Sequence, residues 1–145
     1  MAIHITPELE EAILEELMTK LSGNKSTLCI MKGSIPTNIS DLSHVTSRSD
    51  DVLLEYTPES ESETTGNDRS VRIFTGQVTA ATSGTASWFW LYHPVDHTSG
   101  SSEILYQMIG TIGTSGADLN IPTTTVTSGL SYNVNNLILK LPNTF

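Results

Sequence analysis

The chain has 145 residues and a net charge of −9, with seven Lys and Arg against sixteen Asp and Glu. That length supports one domain around one hydrophobic core. Basic residues scattered singly cannot form the phosphate-neutralising stripe that nucleic acid requires, so no DNA or RNA partner is expected. The one cysteine, Cys29 in the apolar run TLCIM, rules out an intramolecular disulfide and a cysteine-based zinc site, and reads as a small buried hydrophobe. No apolar run reaches the roughly twenty residues of a membrane helix. The start, MAIHITPELEEAILEELM, is acidic where a secretion signal is basic, so neither a membrane nor export by that route is expected. The glycosylation sequons at Asn24 and Asn38 are then chance matches.

The first element is a helix over residues 7–21. Thr6 can cap it, Pro7 suits its first turn, and Glu8, Glu10 and Glu11 lie where the helix dipole favours negative charge. Leu9, Ile13, Leu17 and Leu21 recur every four residues, joined by Leu14 and Met18, as an apolar stripe that would dock on a sheet or a neighbouring chain. Ser22, Gly23 and Asn24 supply the stop.

The remainder reads as strands. STLCIMKG is a short buried strand ending in a Gly-Ser-Ile-Pro turn, and DVLLEYT is a second. PESESETTGNDRS carries no aliphatic or aromatic residue and reads as a solvated acidic loop. VRIFT, QVTAAT, TASWFWLYH, EILYQMIGTIG and YNVNNLILKLP continue the strand pattern. About eight short strands with frequent turn signals predict an antiparallel β-sandwich, jelly-roll-like, over residues 25–145, with residues 1–24 as the helical segment of the same single domain. Residues 109–129, IGTIGTSGADLNIPTTTVTSG, are more than half Gly, Ser and Thr, yet Ile109, Ile112, Leu119, Ile121 and Val126 space them too regularly for a linker. A strand, a tight turn and a strand are expected, with positive φ at Gly113 or Gly116 and the Asp118 carboxylate accepting backbone N–H bonds.

Chemistry is sparse. GTIGTSG lacks the Lys-Ser/Thr ending and the following helix of a phosphate loop. His93, Asp96 and His97 in HPVDH could hold a divalent ion, but no further ligand is evident, and Glu55 and Glu103 are the only glutamates in predicted strands. Neither a metal or cofactor nor a catalytic residue is expected. Strict alternation places Trp88, Trp90 and Tyr92 on one strand face and Phe89, Leu91 and His93 on the other. The Trp face is either covered, by the fold or a partner subunit, or open as a stacking platform for sugars.

Three blocks together resemble a family of small virion proteins of tailed bacteriophages and prophages: LCIMKGSIP after an N-terminal helix, SGTASWFWL at residues 83–91, and GTIGTSGADLNI at residues 110–121, closing on a strand that ends LKLP. Trp90, where the family more often has a basic residue, and the acidic stretch at residues 57–69 depart from its pattern. The resemblance implies a non-enzymatic capsid decoration or cement protein on the shell exterior, with the major capsid protein as partner. It would be made in the host cytoplasm and located in the virion, as a homo-oligomer, dimer or trimer. A neck or tail component and a carbohydrate-binding module are the alternatives. Candidate interface residues are Leu9, Ile13, Leu17, Leu21, Trp88 and Trp90; Gly113, Gly116 and Asp118 are expected to structure the turn.

Overall fold

A computed structural model describes residues 6–21, 26–42, 47–65, 68–94, 104–135 and 137–139. It begins with helix α1, Pro7–Leu21. The Thr6 hydroxyl accepts the Leu9 N–H at 3.2 Å, the side-chain cap that the sequence predicts. At the other end the Ser26 hydroxyl donates to the Lys20 carbonyl at 3.3 Å, satisfying one of the acceptors that a helix end leaves open. The expected stop at Ser22, Gly23 and Asn24 lies outside the described residues.

The strands follow in chain order: β1 Thr27–Lys32, β2 Val52–Tyr56, β3 Glu59–Thr65, β4 Asp68–Phe74, β5 Val78–Thr79 and β6 Gly84–Pro94. After them come β7 Ile104–Gly113, β8 Leu119–Asn120, β9 Thr125–Val126, β10 Ser131–Tyr132 and β11 Leu137–Leu139. The largest sheet runs β2-β1-β6-β7-β8, with β9 pairing the start of β6; β10-β5 and β11-β4-β3 form two smaller sheets. Among the described residues the protein is therefore mainly β, with one α-helix and two single-turn 3-10 helices. The strands exceed the expected number because several are only two residues long. One pair departs from the all-antiparallel expectation: β8 runs parallel to β7, Ile112 opposite Leu119. A parallel return normally needs a long crossover; here the partner strand is two residues long and a looped turn at residues 114–118 is enough.

The predicted acidic loop is corrected. Its residues form β3 and the start of β4, a hairpin in register from Glu59 opposite Phe74 to Thr65 opposite Asp68. Composition hid this because β3 is an edge strand. Its Glu59 and Glu61 can stay in water while β4 buries Val71 and Ile73, and charge on an edge also discourages pairing with other chains. Arg72 ties the two strands, its guanidinium donating to Glu61 at 2.6 Å.

Two apolar clusters lie on opposite faces of the large sheet. Leu28 and Ile30 of β1, Leu54 and Tyr56 of β2, and Phe89 and Leu91 of β6 meet Val71 and Ile73 of β4, Leu137 of β11, and Leu14 and Leu21 of α1. On the reverse face Cys29, Met31, Trp88, Trp90 and Tyr92 gather with Leu42, and Ile35 packs against them. A β-bulge governs the phase. Met31 pairs with Trp88 but Lys32 with Ala86, so Ser87 is extra, and its hydroxyl donates to the Gly33 carbonyl. The extra residue turns Ala86 into the main cluster although Trp88, two positions on, faces the other way.

The helical stripe divides in the same way. Leu14 and Leu21 are buried and Leu17 and Met18 half-buried, whereas Leu9 and Ile13 are exposed. A four-residue step overshoots the helical turn by about 40°, so the three steps from Leu9 to Leu21 fan about 120° around the helix, and the four side chains cannot all face one groove. The core-facing set is Glu10, Leu14 and Leu21. Accordingly Leu14→Ala is expected to lower unfolding free energy by about 2–5 kcal/mol, and Ile13→Ala by about 0.5 kcal/mol or less. Urea unfolding of the two variants beside the parent checks this; equal losses would refute the assignment of faces.

Candidate docking surface

Trp88 and Trp90 are fully buried. The Trp88 indole N–H donates to the Lys32 carbonyl at 3.2 Å. The Trp90 indole N–H donates to the Gln107 side-chain oxygen at 2.9 Å, and the Gln107 amide donates in turn to the Leu42 carbonyl at 2.9 Å. Buried indoles require such partners. The relay through Gln107 fastens the segment carrying Leu42 over the aromatic face. As open interface anchors, or as a sugar platform, Trp88 and Trp90 are therefore overturned: the fold covers that face itself. Gln107 was not singled out from the sequence, although a lone amide in the apolar strand ILYQMIG is the signal that could have found it.

The glycine-rich segment is ordered, and its polar groups hold the turn. The Asp118 carboxylate accepts the Thr111 N–H at 2.9 Å and hydroxyl at 3.1 Å, while the Asp118 N–H donates to the Thr111 hydroxyl at 3.1 Å. Positive φ falls at Gly116, +71°, and not at Gly113. Gly110 serves close approach instead. It pairs with Phe89 across β6 and β7, and a Cβ there would lie 2.5 Å from the Phe89 ring. The Phe89 ring thereby lies against the Gly110 backbone, where a side chain would not fit.

Among the described residues, the other chemically capable side chains are not gathered into a site. Glu55 is exposed on β2, and its conceived partner Glu103 lies outside the described residues, as do Asp96 and His97 of HPVDH. His93 is half-buried on β6, its ring 6.0 Å from Tyr106. Among the described residues no three His, Cys, Asp or Glu side chains are grouped to hold a metal, and no helix is long and apolar enough to cross a membrane. A hollow of about 170 Å³ lined by Ile30, Leu54, Tyr56, Val126, Tyr132 and Val134 falls below the roughly 300–1,000 Å³ of small-molecule sites.

What the described surface does offer is apolar. Leu9 and Ile13 on α1 are 48% and 40% exposed, and Tyr106 on β7 is 39% exposed. Ile13 and Tyr106 border a groove between helix and strand, with Ala12, Leu17 and Met108 along its floor and walls. The Lys20 ammonium lies 5.4 Å over the Tyr106 ring and 3.7 Å from Glu16. Of the six expected interface residues, the structure leaves Leu9 and Ile13 outward, Leu17 partly so, and Leu21, Trp88 and Trp90 inward. Tyr106, like Gln107, is a residue that sequence reasoning missed, because its strand reads as core throughout. No family model, curated protein or solved structure matches the chain.

Two predictions test these roles. Asp118→Ala is expected to cost about 1 kcal/mol in urea unfolding and Asp118→Asn less, since an amide oxygen can still accept; equal losses would show that acceptance by this side chain is not what holds the turn. The second concerns alkaline pH. Burial pushes the Cys29 thiol from 9.0 up to about 12, the Glu55 charge adding and a Tyr92 hydrogen bond opposing. Burial likewise pushes Tyr56 from 10.0 to about 12 and raises Tyr92. The unfolded chain releases these protons first, so the stability they contribute is complete below about pH 9 and is lost as pH rises towards about 12. Urea midpoints are expected to fall from about pH 8.5 to about pH 10.5, and less steeply in Cys29→Ala; a flat profile would contradict the burial.

Proposed function

We propose that the chain is a non-enzymatic structural protein of a tailed-bacteriophage virion, a decoration or cement protein that binds the outside of the major capsid shell and stabilises it. The reading starts from the three sequence blocks that resemble such proteins. The observation that carries it further is the use made of the polar groups inside those blocks. Asp118 and Thr111 bond to one another, and Trp90 is spent on the Gln107 relay. Exposed apolar side chains elsewhere on the described surface, among them Leu9, Ile13 and Tyr106, suit adhesion.

The mechanism would be mechanical. Copies seated at junctions between shell subunits add buried interface, and rupture of the shell must first remove it. Affinity would come from a few apolar and aromatic anchors rather than from the whole contact area. Assembly in the host cytoplasm and self-association into a dimer or trimer on the shell belong to the proposal. So does a sandwich architecture, with the large sheet as one layer and β11-β4-β3 with α1 as the other; a jelly-roll path is its finer form.

Quantitative mass spectrometry of purified particles tests the assignment. A copy number comparable with that of the major capsid protein is expected. A handful of copies per particle would move the protein to the neck or tail, and absence from washed particles would end the virion reading.

A further inference from the structure

One edge of the large sheet is open along most of β7, because β8 pairs with β7 only at Ile112 and Gly113. Just before that pair the Thr111 N–H is taken by the Asp118 carboxylate at 2.9 Å, and at its end the Gly113 carbonyl accepts the Ile121 N–H. Both groups therefore point away from β6. The backbone groups of a strand alternate in direction from residue to residue, and the β6–β7 register is unbroken from Tyr106 to Thr111. The N–H and C=O of Gln107 and Ile109 then point outward too, and among the described residues nothing bonds them there.

Open edges are commonly guarded by charge or proline. β3, the edge of a smaller sheet, carries exposed Glu59 and Glu61. Residues 106–111 of β7, YQMIGT, contain neither charge nor proline. The carboxylate lining the groove beside them, Glu16, is already paired with Lys20. An unguarded row of backbone donors and acceptors is complementary to another extended backbone.

We propose that β7 pairs with β7 of a second copy, antiparallel about a two-fold axis at Gln107, joining the large sheets of two chains. The edge itself fixes the axis. At Ile109 it would need the Thr111 N–H, which Asp118 holds. At Met108 it would set Ile104 against Ile112 of the second copy, a place that β8 fills. Any axis nearer Ile104 would leave Ile109 opposite no residue of β7. At Gln107 each β7 begins opposite Gly110 of the other, just short of the Asp118 turn. Gln107 then exchanges both backbone bonds with its counterpart. Tyr106 of each chain falls opposite Met108 of the other, both on the side of the strand that faces α1. A long foreign strand would run into β8, whereas a second copy starts where the open edge stops, and the two-fold closes after one pairing. This deepens the self-association contained in the proposed function and rests on that part of it alone, selecting a dimer.

Sedimentation of the isolated full chain at about 100 µM is expected to show a dimer; a monomer or a trimer overturns the proposal. Register is read with cysteines, the parent with its buried Cys29 serving as the blank. Residues opposed in a non-hydrogen-bonded pair lie about 4.5 Å apart at Cα, within disulfide reach, whereas 106 with 106, or 108 with 108, are diagonal neighbours at about 7–8 Å. An oxidised mixture of Tyr106→Cys and Met108→Cys is therefore expected to cross-link between unlike chains, and each variant alone to remain uncross-linked. Cross-linking of either alone as fast as the mixture overturns the pairing. Tyr106→Glu is expected to weaken dimerisation at least about tenfold. Added Met108→Lys restores it by setting an ammonium opposite the carboxylate. Thermal unfolding of each variant beside the parent controls for the fold. A dimer that Tyr106→Glu leaves intact, or no restoration by a folded Met108→Lys, overturns this edge as the interface. None of these measurements involves a capsid. Their failure leaves the virion assignment standing, and absence of the chain from washed particles leaves the β7 pairing standing.

Discussion

A strand that carries Trp88, Trp90 and Tyr92 on one face and Phe89 and Leu91 on the other has no face to offer to water. Large aromatic side chains bury about 150–250 Å² each, so at about 25 cal/mol per Å² the two indoles contribute on the order of 10 kcal/mol before conformational entropy is set against them. β6 must therefore lie inside its sheet and be covered twice. Its neighbours β1 and β7 close its edges. The β4 and β11 strands and the helix cover one side, and the segment bearing Ile35 and Leu42 covers the other. Even the polar groups obey this demand. Trp90 needs an acceptor in a dry place, Gln107 supplies it, and the amide left over fastens the cover down.

The parts of the fold legible in the sequence are those where local chemistry and tertiary role agree. Thr6 and Pro7 mark the start of α1 because capping is local, and the apolar alternation of TLCIM and SWFWLY marks central strands because burial on both faces leaves no other composition. Where the two diverge, the sequence misleads. ESESETT has the composition of a loop, and is a strand because β4 beside it supplies the burial. The four-residue ladder from Leu9 to Leu21 looks like one stripe until helical geometry spreads it and leaves Leu9 and Ile13 exposed. The parallel β7–β8 pair has no local signature at all, since it depends on how one turn closes.

The candidate surface was half legible for a related reason. A sequence shows that Leu9, Trp88 and Tyr106 are apolar, but not which of them the fold uses. Once β6 had claimed its covers, the Trp residues were consumed and Leu9, Ile13 and Tyr106 were left over. The turn at Asp118 was easier to read, because a short carboxylate beside glycines acts within a few residues of itself, and Thr111 lies only seven positions away.

The bulge at Ser87 and the Trp88 indole join β6 to the end of β1 across 56 residues of chain. Contacts so distant are slow to form, because the intervening loop must close before they contribute. The β3–β4 and β6–β7 hairpins pair strands adjacent in sequence and can form first. For that interval β6 presents an unpaired edge and an uncovered indole face, the kind of surface on which nascent chains aggregate. The charge of this protein is concentrated in the residues made before β6 leaves the ribosome: α1 and the β3–β4 hairpin carry most of its glutamates. Synthesised ahead of the strand that most needs protection, they place repulsion between neighbouring nascent chains until β1 has found its place.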